Sequence, residues 1–290
     1  MRRFWQAGFC TLMMFFLAAP AWAASLQVEP KSLALGQPAL VRLCLQGNPK
    51  LVRAELNGRE TALALGKDGC WYGAVAPDLQ DKTGKAMVRV TADGKQVAAA
   101  RLTLFRRDRG ARKLTVDPKY LKLSPEALER YKKDREQMQK VFGSFTPAPQ
   151  WHTAFMLPLD SKVVSLFGRR SFVNGKERSP HGGVDLRGTT GTPVPAAADG
   201  TVALVIDAYF SGNTVLIDHG QGVITRYLHL SQALVKTGQK VKKGEIIGKV
   251  GATGRVTGPH LDFGVKLAGA RVDPQDWVAL SQLLAQRLGE

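Results

Sequence analysis

Short apolar–polar alternations, cut every few residues by turn pairs, restrict the fold of this chain more than any other feature. Residues 25 to about 105 carry Ala39-Leu40-Val41-Arg42-Leu43-Cys44-Leu45, Ala86-Met87-Val88-Arg89-Val90 and a similar run over 97–104. Gly47-Asn48-Pro49, Asn57-Gly58, Asp68-Gly69 and Asp93-Gly94 separate them. A period of two buries one face of a strand, and Asn-Gly or Asp-Gly closes a hairpin because both residues tolerate positive φ. The pattern predicts an N-terminal β-sandwich of the immunoglobulin-like kind over residues 24–105. That stretch has no histidine and nothing at catalytic spacing, so its expected role is that of a spacer or docking domain.

Arg106-Arg107-Asp108-Arg109-Gly110-Ala111-Arg112-Lys113 opens a connecting segment, residues 106–149, read as a solvated basic linker followed by a helix. Ser124-Pro125-Glu126 supplies an N-cap, a first-turn proline and an acid near the positive end of the helix dipole. Leu128, Tyr131, Met138, Val141 and Phe142 recur near one face as far as Gly143. Packing beside the second domain and lying across its groove both remain open for this helix. From Phe155 onward, residues 193–202 and 239–250 pair short apolar runs with glycine turns, as small β-barrels and barrel sandwiches do. Residues 276–288 predict a terminal amphipathic helix outside the barrel. The expected fold is mainly β: a sandwich, a connecting helix, and a C-terminal β-barrel or sandwich domain over 150–290 that ends in a helix.

Met1-Arg2-Arg3, the apolar stretch 8–17 and Ala21-Trp22-Ala23 match a signal peptide cut after residue 23. The apolar run is shorter than the ~20 residues a spanning helix needs. The expectation is therefore an exported chain, in the periplasm or cell envelope, without a transmembrane segment once matured. Loss of Cys10 leaves Cys44 and Cys70, an even pair for which an oxidising compartment favours a disulfide. A formal charge of +17 points to an anionic surface such as wall polymer or lipid head groups. Export, and the lack of a base-stacking motif, argue against nucleic acid.

Three segments concentrate the chemistry: His181-Gly182-Gly183-Val184-Asp185, Tyr227-Leu228-His229-Leu230 and His260-Leu261-Asp262. On strands, His181 and Asp185 share a face, as do His260 and Asp262. Hydrolytic zinc takes three protein ligands and keeps a fourth position for water. His181 and Asp185 offer two ligands, and the His260–Asp262 strand offers candidates for the third. His229 and the remaining group are left to act on water and on the developing oxyanion. Tyr227 is a candidate substrate contact; His219 is read as a turn or supporting residue and His152 as structural.

At these residues the chain resembles the M23 family of lysostaphin-like peptidases, zinc endopeptidases that cut peptidoglycan cross-links. The resemblance covers about residues 150–280. It rests on H-x-x-x-D at His181 and Asp185, on Gly191-Thr192-Pro193-Val194, and on Gly212-Asn213-Thr214-Val215-Leu216-Ile217-Asp218-His219-Gly220. The Y-x-H-L run from Tyr227, the G-x-T-G run from Gly251 and Thr257-Gly258-Pro259-His260-Leu261 complete it. It implies a zinc cofactor on His181 and Asp185, catalysis by His229 and His260, and peptidoglycan as substrate. One position departs: the family's last ligand is the second histidine of H-x-H, where this chain has Asp262. A carboxylate oxygen lies as many bonds beyond Cβ as an imidazole Nδ1, so Asp262 is expected to ligate zinc, at a cost in Lewis acidity. On that reading Asp262→His raises activity. The alternative is a domain that binds metal poorly and serves as a wall-binding module or as an activator of another hydrolase.

Overall fold

The structure, a computed structural model, describes residues 24–117 and 122–289. The signal-peptide expectation for residues 1–23 lies outside the described residues. The N-terminal half forms β1 (Ala24–Glu29), β2 (Ser32–Ala34), β3 (Ala39–Leu45), β4 (Val52–Leu56), β5 (Arg59–Leu65), β6 (Trp71–Val75), β7 (Gly84–Ala92) and β8 (Lys95–Phe105). Their order is β1-β3-β6-β5-β4-β7-β8-β2. β5 carries the sheet over itself: Arg59 to Leu63 pair with β4, whereas Ala64 and Leu65 pair with β6. The two layers enclose Val41, Leu43, Val52, Leu56, Val88 and Val90. Asn57 and Asp93 take φ of 53° and 48° ahead of Gly58 and Gly94, the backbone that tight hairpins demand. Cys44 and Cys70 are joined by a disulfide between β3 and the start of β6.

The connecting segment differs from a solvated linker. Residues of its basic run form β9 (Ala111–Leu114). Then follow α1 (Pro125–Phe142), β10 (Val163–Ser165), β11 (Arg170–Val173) and β12 (Lys176–Arg178). β9 pairs parallel with β11, which pairs antiparallel with β12, so the linker becomes the third strand of a small sheet. Its backbone donors and acceptors find partners there, which charge patterning along the sequence does not reveal. In α1, Ser124 Oγ accepts from Ala127 N at 3.2 Å. The helix packs beside the second domain. Tyr131 meets Phe210 edge-on at 5.0 Å, and the buried carboxylate of Asp134 accepts from Tyr209 N at 2.8 Å. Leu128, expected on the packed face, is 42% exposed.

The second half continues with β13 (Val184–Arg187), β14 (Pro193–Pro195), β15 (Gly200–Ala208), β16 (Gly212–Asp218), β17 (Val223–Ala233), β18 (Lys240–Val241), β19 (Ile246–Val250), β20 (His260–Leu267), β21 (Ala270–Val272) and α2 (Pro274–Leu288). The main sheet runs β10-β13-β20-β17-β16-β15-β18. β19 pairs with both β14 and β17, which folds the sheet back over itself.

α2 does not simply cover the outside of the barrel. Trp277, Leu280 and Leu284 belong to one core with Tyr72 and Ala74 of the N-terminal layers and Phe155 and Val272 of the second domain. Each such side chain taken from water contributes roughly 1.5–3 kcal/mol. Polar contacts fix the same junction. Asp78 accepts from Arg271 N and Nε, each at 2.9 Å, and Arg109 pairs with Asp273 at 2.7 Å. Gly36 passes so close to Phe167 that a Cβ would sit 2.3 Å from the ring. The N-terminal unit is thus docked on the second domain, which a free spacer would not be. Among the described residues no helix is long and apolar enough to cross a membrane.

Candidate metal centre

β13 and β20 run antiparallel with Asp185 directly opposite Asp262 and Arg187 opposite His260. Like charges facing each other across a strand pair repel, so this register calls for a cation between them. His181 reaches that position from a loop: β13 starts only at Val184, and His181 is held instead by backbone bonds with Gly168 and Arg169. Its Nε2 lies 3.1 Å from Asp185 Oδ1 and 3.6 Å from Asp262 Oδ2. Burial alone would lower the pKa of His181, but the bonds to both carboxylates raise it to about 10. A cage that holds a proton this tightly is one in which a divalent ion can take the proton's place.

The donor atoms of His181, Asp185 and Asp262 all lie within 4.8 Å of one another. Zinc–ligand bonds of about 2.0–2.1 Å in a tetrahedron separate ligand atoms by roughly 3.3 Å. The two His181–carboxylate distances bracket that value. His181 Nδ1 lies 3.2 Å from Leu166 O and donates to it, turning Nε2 towards the carboxylates, the support a metal-ligating imidazole needs. The residues present therefore fit zinc.

His229 and His260 stand beside the cage with ring centroids 5.1 Å apart. His260 Nε2 is 3.7 Å from Asp185 Oδ1, and its Nδ1 donates to Gly258 O at 2.9 Å. His229 Nδ1 donates to Thr253 O at 3.0 Å. Burial, only partly offset by Asp262, lowers the pKa of His229 and favours its neutral form. His229 sits at φ +64°, where the β16–β17 register shifts between Asn213/Leu230 and Val215/Tyr227. Such a bulge re-aims a side chain at a local cost of order 1 kcal/mol.

The bulge also corrects the reading of Tyr227. Simple alternation puts Tyr227 and His229 on one face, but Tyr227 is fully buried. Its hydroxyl accepts from Ala197 N at 2.8 Å and lies 3.2 Å from Thr225 Oγ1. It is a core residue and does not line the groove. His219 is buried as well, donating from Nδ1 to Asp199 O at 2.7 Å with Nε2 2.7 Å from Thr225 Oγ1, away from the cage. His152 is exposed.

Sequence reasoning missed Arg226. Its guanidinium lies 3.3 Å from Asp262 Oδ1. The side chain crosses Gly264, its partner in the register, where a Cβ would fall 2.1 Å from Arg226 Nε. A Cβ on Gly183 would stand 2.6 Å from Asp262 Oδ1 and 3.0 Å from Arg226 NH2. Burial works against the charged form of Asp262, but Arg226 and His181 outweigh it and hold the carboxyl below its usual range. Nothing in the local sequence distinguishes this arginine from a solvated one.

A β groove that gathers a His/Asp/Asp cage and two neighbouring imidazoles defines a metal site of hydrolytic type. The family model of peptidase family M23 matches residues 179–274. With a family structure matched at 30% identity over 95% of its own length, the chain belongs to that family of zinc metallopeptidases. A crystal structure from Pseudomonas aeruginosa assigned to peptidase M23 superposes with a TM-score of 0.68 at 30% identity. The match covers 86% of this chain and 95% of that one. Peptidoglycan DD-endopeptidase ShyA of Vibrio cholerae is 40% identical over 146 residues, 49% of this chain and 31% of that protein. The DD-carboxypeptidase/endopeptidase Mpg of Neisseria meningitidis is 45% identical over 114 residues, 39% of this chain and 26% of that protein. The chain therefore spans less than a third of the length of these curated relatives.

Proposed function

We propose that this protein is an exported, zinc-dependent endopeptidase of the cell envelope that hydrolyses peptide bonds in peptidoglycan. The observation that carries the reading is the convergence of His181, Asp185 and Asp262 within 4.8 Å, with His229 and His260 alongside. Membership of the family supports the chemistry, and the activities for which ShyA and Mpg are named support the substrate. His181, Asp185 and Asp262 are the proposed ligands. Bound there, zinc supplies Lewis acidity for a peptide carbonyl and makes water easier to deprotonate.

The chain's own residues divide the remaining work. His229 and His260 each commit Nδ1–H to a backbone carbonyl, which leaves Nε2 as the free ring nitrogen in the neutral tautomer. A neutral, partly buried His229 suits a base that takes a proton from water. His260, the more open of the pair at the groove, suits donation to the oxyanion or leaving amine. Arg226 offsets the charge that Asp262 adds. Two carboxylates, one guanidinium and one neutral imidazole leave the set at a formal −1, the charge a His/Asp/His set would have. Asp262 thereby enters the cage with its added charge offset by a neighbour of this same chain.

The test is zinc content of the purified chain together with release of soluble muropeptides from purified peptidoglycan. The expected result is one zinc per chain and release by the wild type but not by His260→Ala. A metal-free chain that still binds peptidoglycan without cleaving it would establish the wall-binding or activator role instead.

A further inference from the structure

We infer that the wall of the groove built by the connecting segment is a subsite for carboxylate groups, so that the substrate peptide is an acidic one. This rests on the endopeptidase reading above and names the substrate's chemistry. Arg112 on β9 and Arg178 on β12 both pair in register with Ser171 on β11. The three residues form one cross-strand row, and residues in a row project to the same face. With strands 4.7–4.9 Å apart, the two arginine Cα atoms stand roughly 10 Å from each other. Two residues along the strands, Leu114 and Val173 form the next row on that face.

That face looks into the groove. Arg112, Leu114, Val173 and Arg178 line the same cleft of about 810 Å3 as His181, Asp185, His260 and Asp262. β12 ends three residues before His181, so the wall and the cage share one short stretch of chain. Arg255, whose guanidinium stands 5.7 Å from the Phe210 ring, adds a third positive charge on the lining. The acidic residues lining the cleft, among the described ones, are the two in the metal cage. Arg112 and Arg178 are exposed, and neither has an acidic partner among the described residues. Guanidinium groups in this state await a planar anion, and carboxylate is the match their forked donors make best.

The wall is also fixed in place. Asn174 accepts from Val116 N at 2.8 Å and donates to Val116 O at 2.7 Å, clamping the connecting segment to the β11–β12 turn. Leu114 O accepts from Asn174 N at 2.9 Å. The backbone under the arginines is therefore held in a built sheet, and binding a carboxylate has only their side chains left to order. One row along from the two charged positions, Leu114 and Val173 offer an apolar floor for the aliphatic part of an acidic side chain.

The experiment uses the full chain and two synthetic cross-linked muropeptides that differ only in whether the side-chain carboxylates are free or amidated. KM and kcat are measured for both, with fluorescence polarisation of the labelled compounds in parallel. The expected result is a KM about tenfold to a hundredfold lower for the free acid, a preference that shrinks as salt rises. Arg112→Glu with Arg178→Glu should abolish or reverse it with kcat little changed. The paired glutamine variants, which keep similar size on exposed strand positions, should bring the two KM values together. Equal KM values for acid and amide in the wild type, or a preference that survives charge reversal, would overturn the inference while leaving the enzyme intact. Failure to cleave either compound, with tighter binding of the free acid lost in the variants, would sink the endopeptidase reading and keep the subsite.

Discussion

Replacing Asp262 by histidine installs the second histidine that the H-x-H motif of the family resemblance implies, and the sequence alone expects it to raise activity. The structure predicts the opposite. Arg226 stays behind, its guanidinium having stood 3.3 Å from a carboxylate that is no longer there, with its side chain only 20% exposed. A unit charge and a divalent ion roughly 6 Å apart repel by about 5 kcal/mol at an effective dielectric of 20. The arginine relieves most of that by turning towards water, so the residual loss of zinc affinity is put at 10- to 100-fold, about 1.4–2.7 kcal/mol. Adding Arg226→Leu removes the stranded charge, fills the space beside Gly264 and returns the set to a formal −1. The double variant is expected to regain most of the lost affinity. Competition with a chromophoric chelator reads the binding constant directly, and far-UV circular dichroism confirms that each variant is folded. Tighter zinc binding by Asp262→His alone, or no recovery in the double variant, would refute the charge-compensation argument.

Three further outcomes follow from the same structure. Gly183→Ala drives a Cβ to 2.4 Å from Phe263 O and 2.6 Å from Asp262 Oδ1; zinc affinity should fall at least tenfold, and an unchanged chelator titration would contradict the packing argument. Burial pushes the pKa of His219 down to about 4, against about 6.5 in an unfolded chain. The unfolded state therefore binds a proton that the folded state refuses, and stability should fall as pH drops from about 6.5 towards 4, by up to about 3 kcal/mol, then level off for this group. Urea titrations across that range should show a shallower slope for His219→Gln; identical slopes would rule the histidine out as the source. Arg271→Ala leaves Asp78, 8% exposed, without its ionic partner at the junction of the two units. It should cost about 3–5 kcal/mol in urea unfolding, and a loss below 1 kcal/mol would show that the junction is held by its apolar core alone.

Much of this molecule is legible in the order of its residues, and in each case for a local reason. Period-two runs between Asn-Gly and Asp-Gly pairs wrote the strands, because alternation and positive φ are properties of a few adjacent residues. Ser124-Pro125-Glu126 wrote the start of a helix in the same way. The motifs carrying His181, Asp185, His229, His260 and Asp262 pointed to groups that the fold brings together, since a metal's demand for imidazole and carboxylate is met by residue type. Whatever depends on residues far apart in the chain becomes visible only once the strands are paired. A bulge at His229 sends Tyr227 to the core, and only the paired strands disclose the shift. Arg226 becomes a partner of Asp262 because β17 and β20 bring position 226 opposite Gly264. The basic run at 111–114 becomes a wall of the groove because β11 offers it an open edge. Charge and hydrophobicity are written residue by residue, but the neighbour that gives a charge its meaning is chosen by the fold.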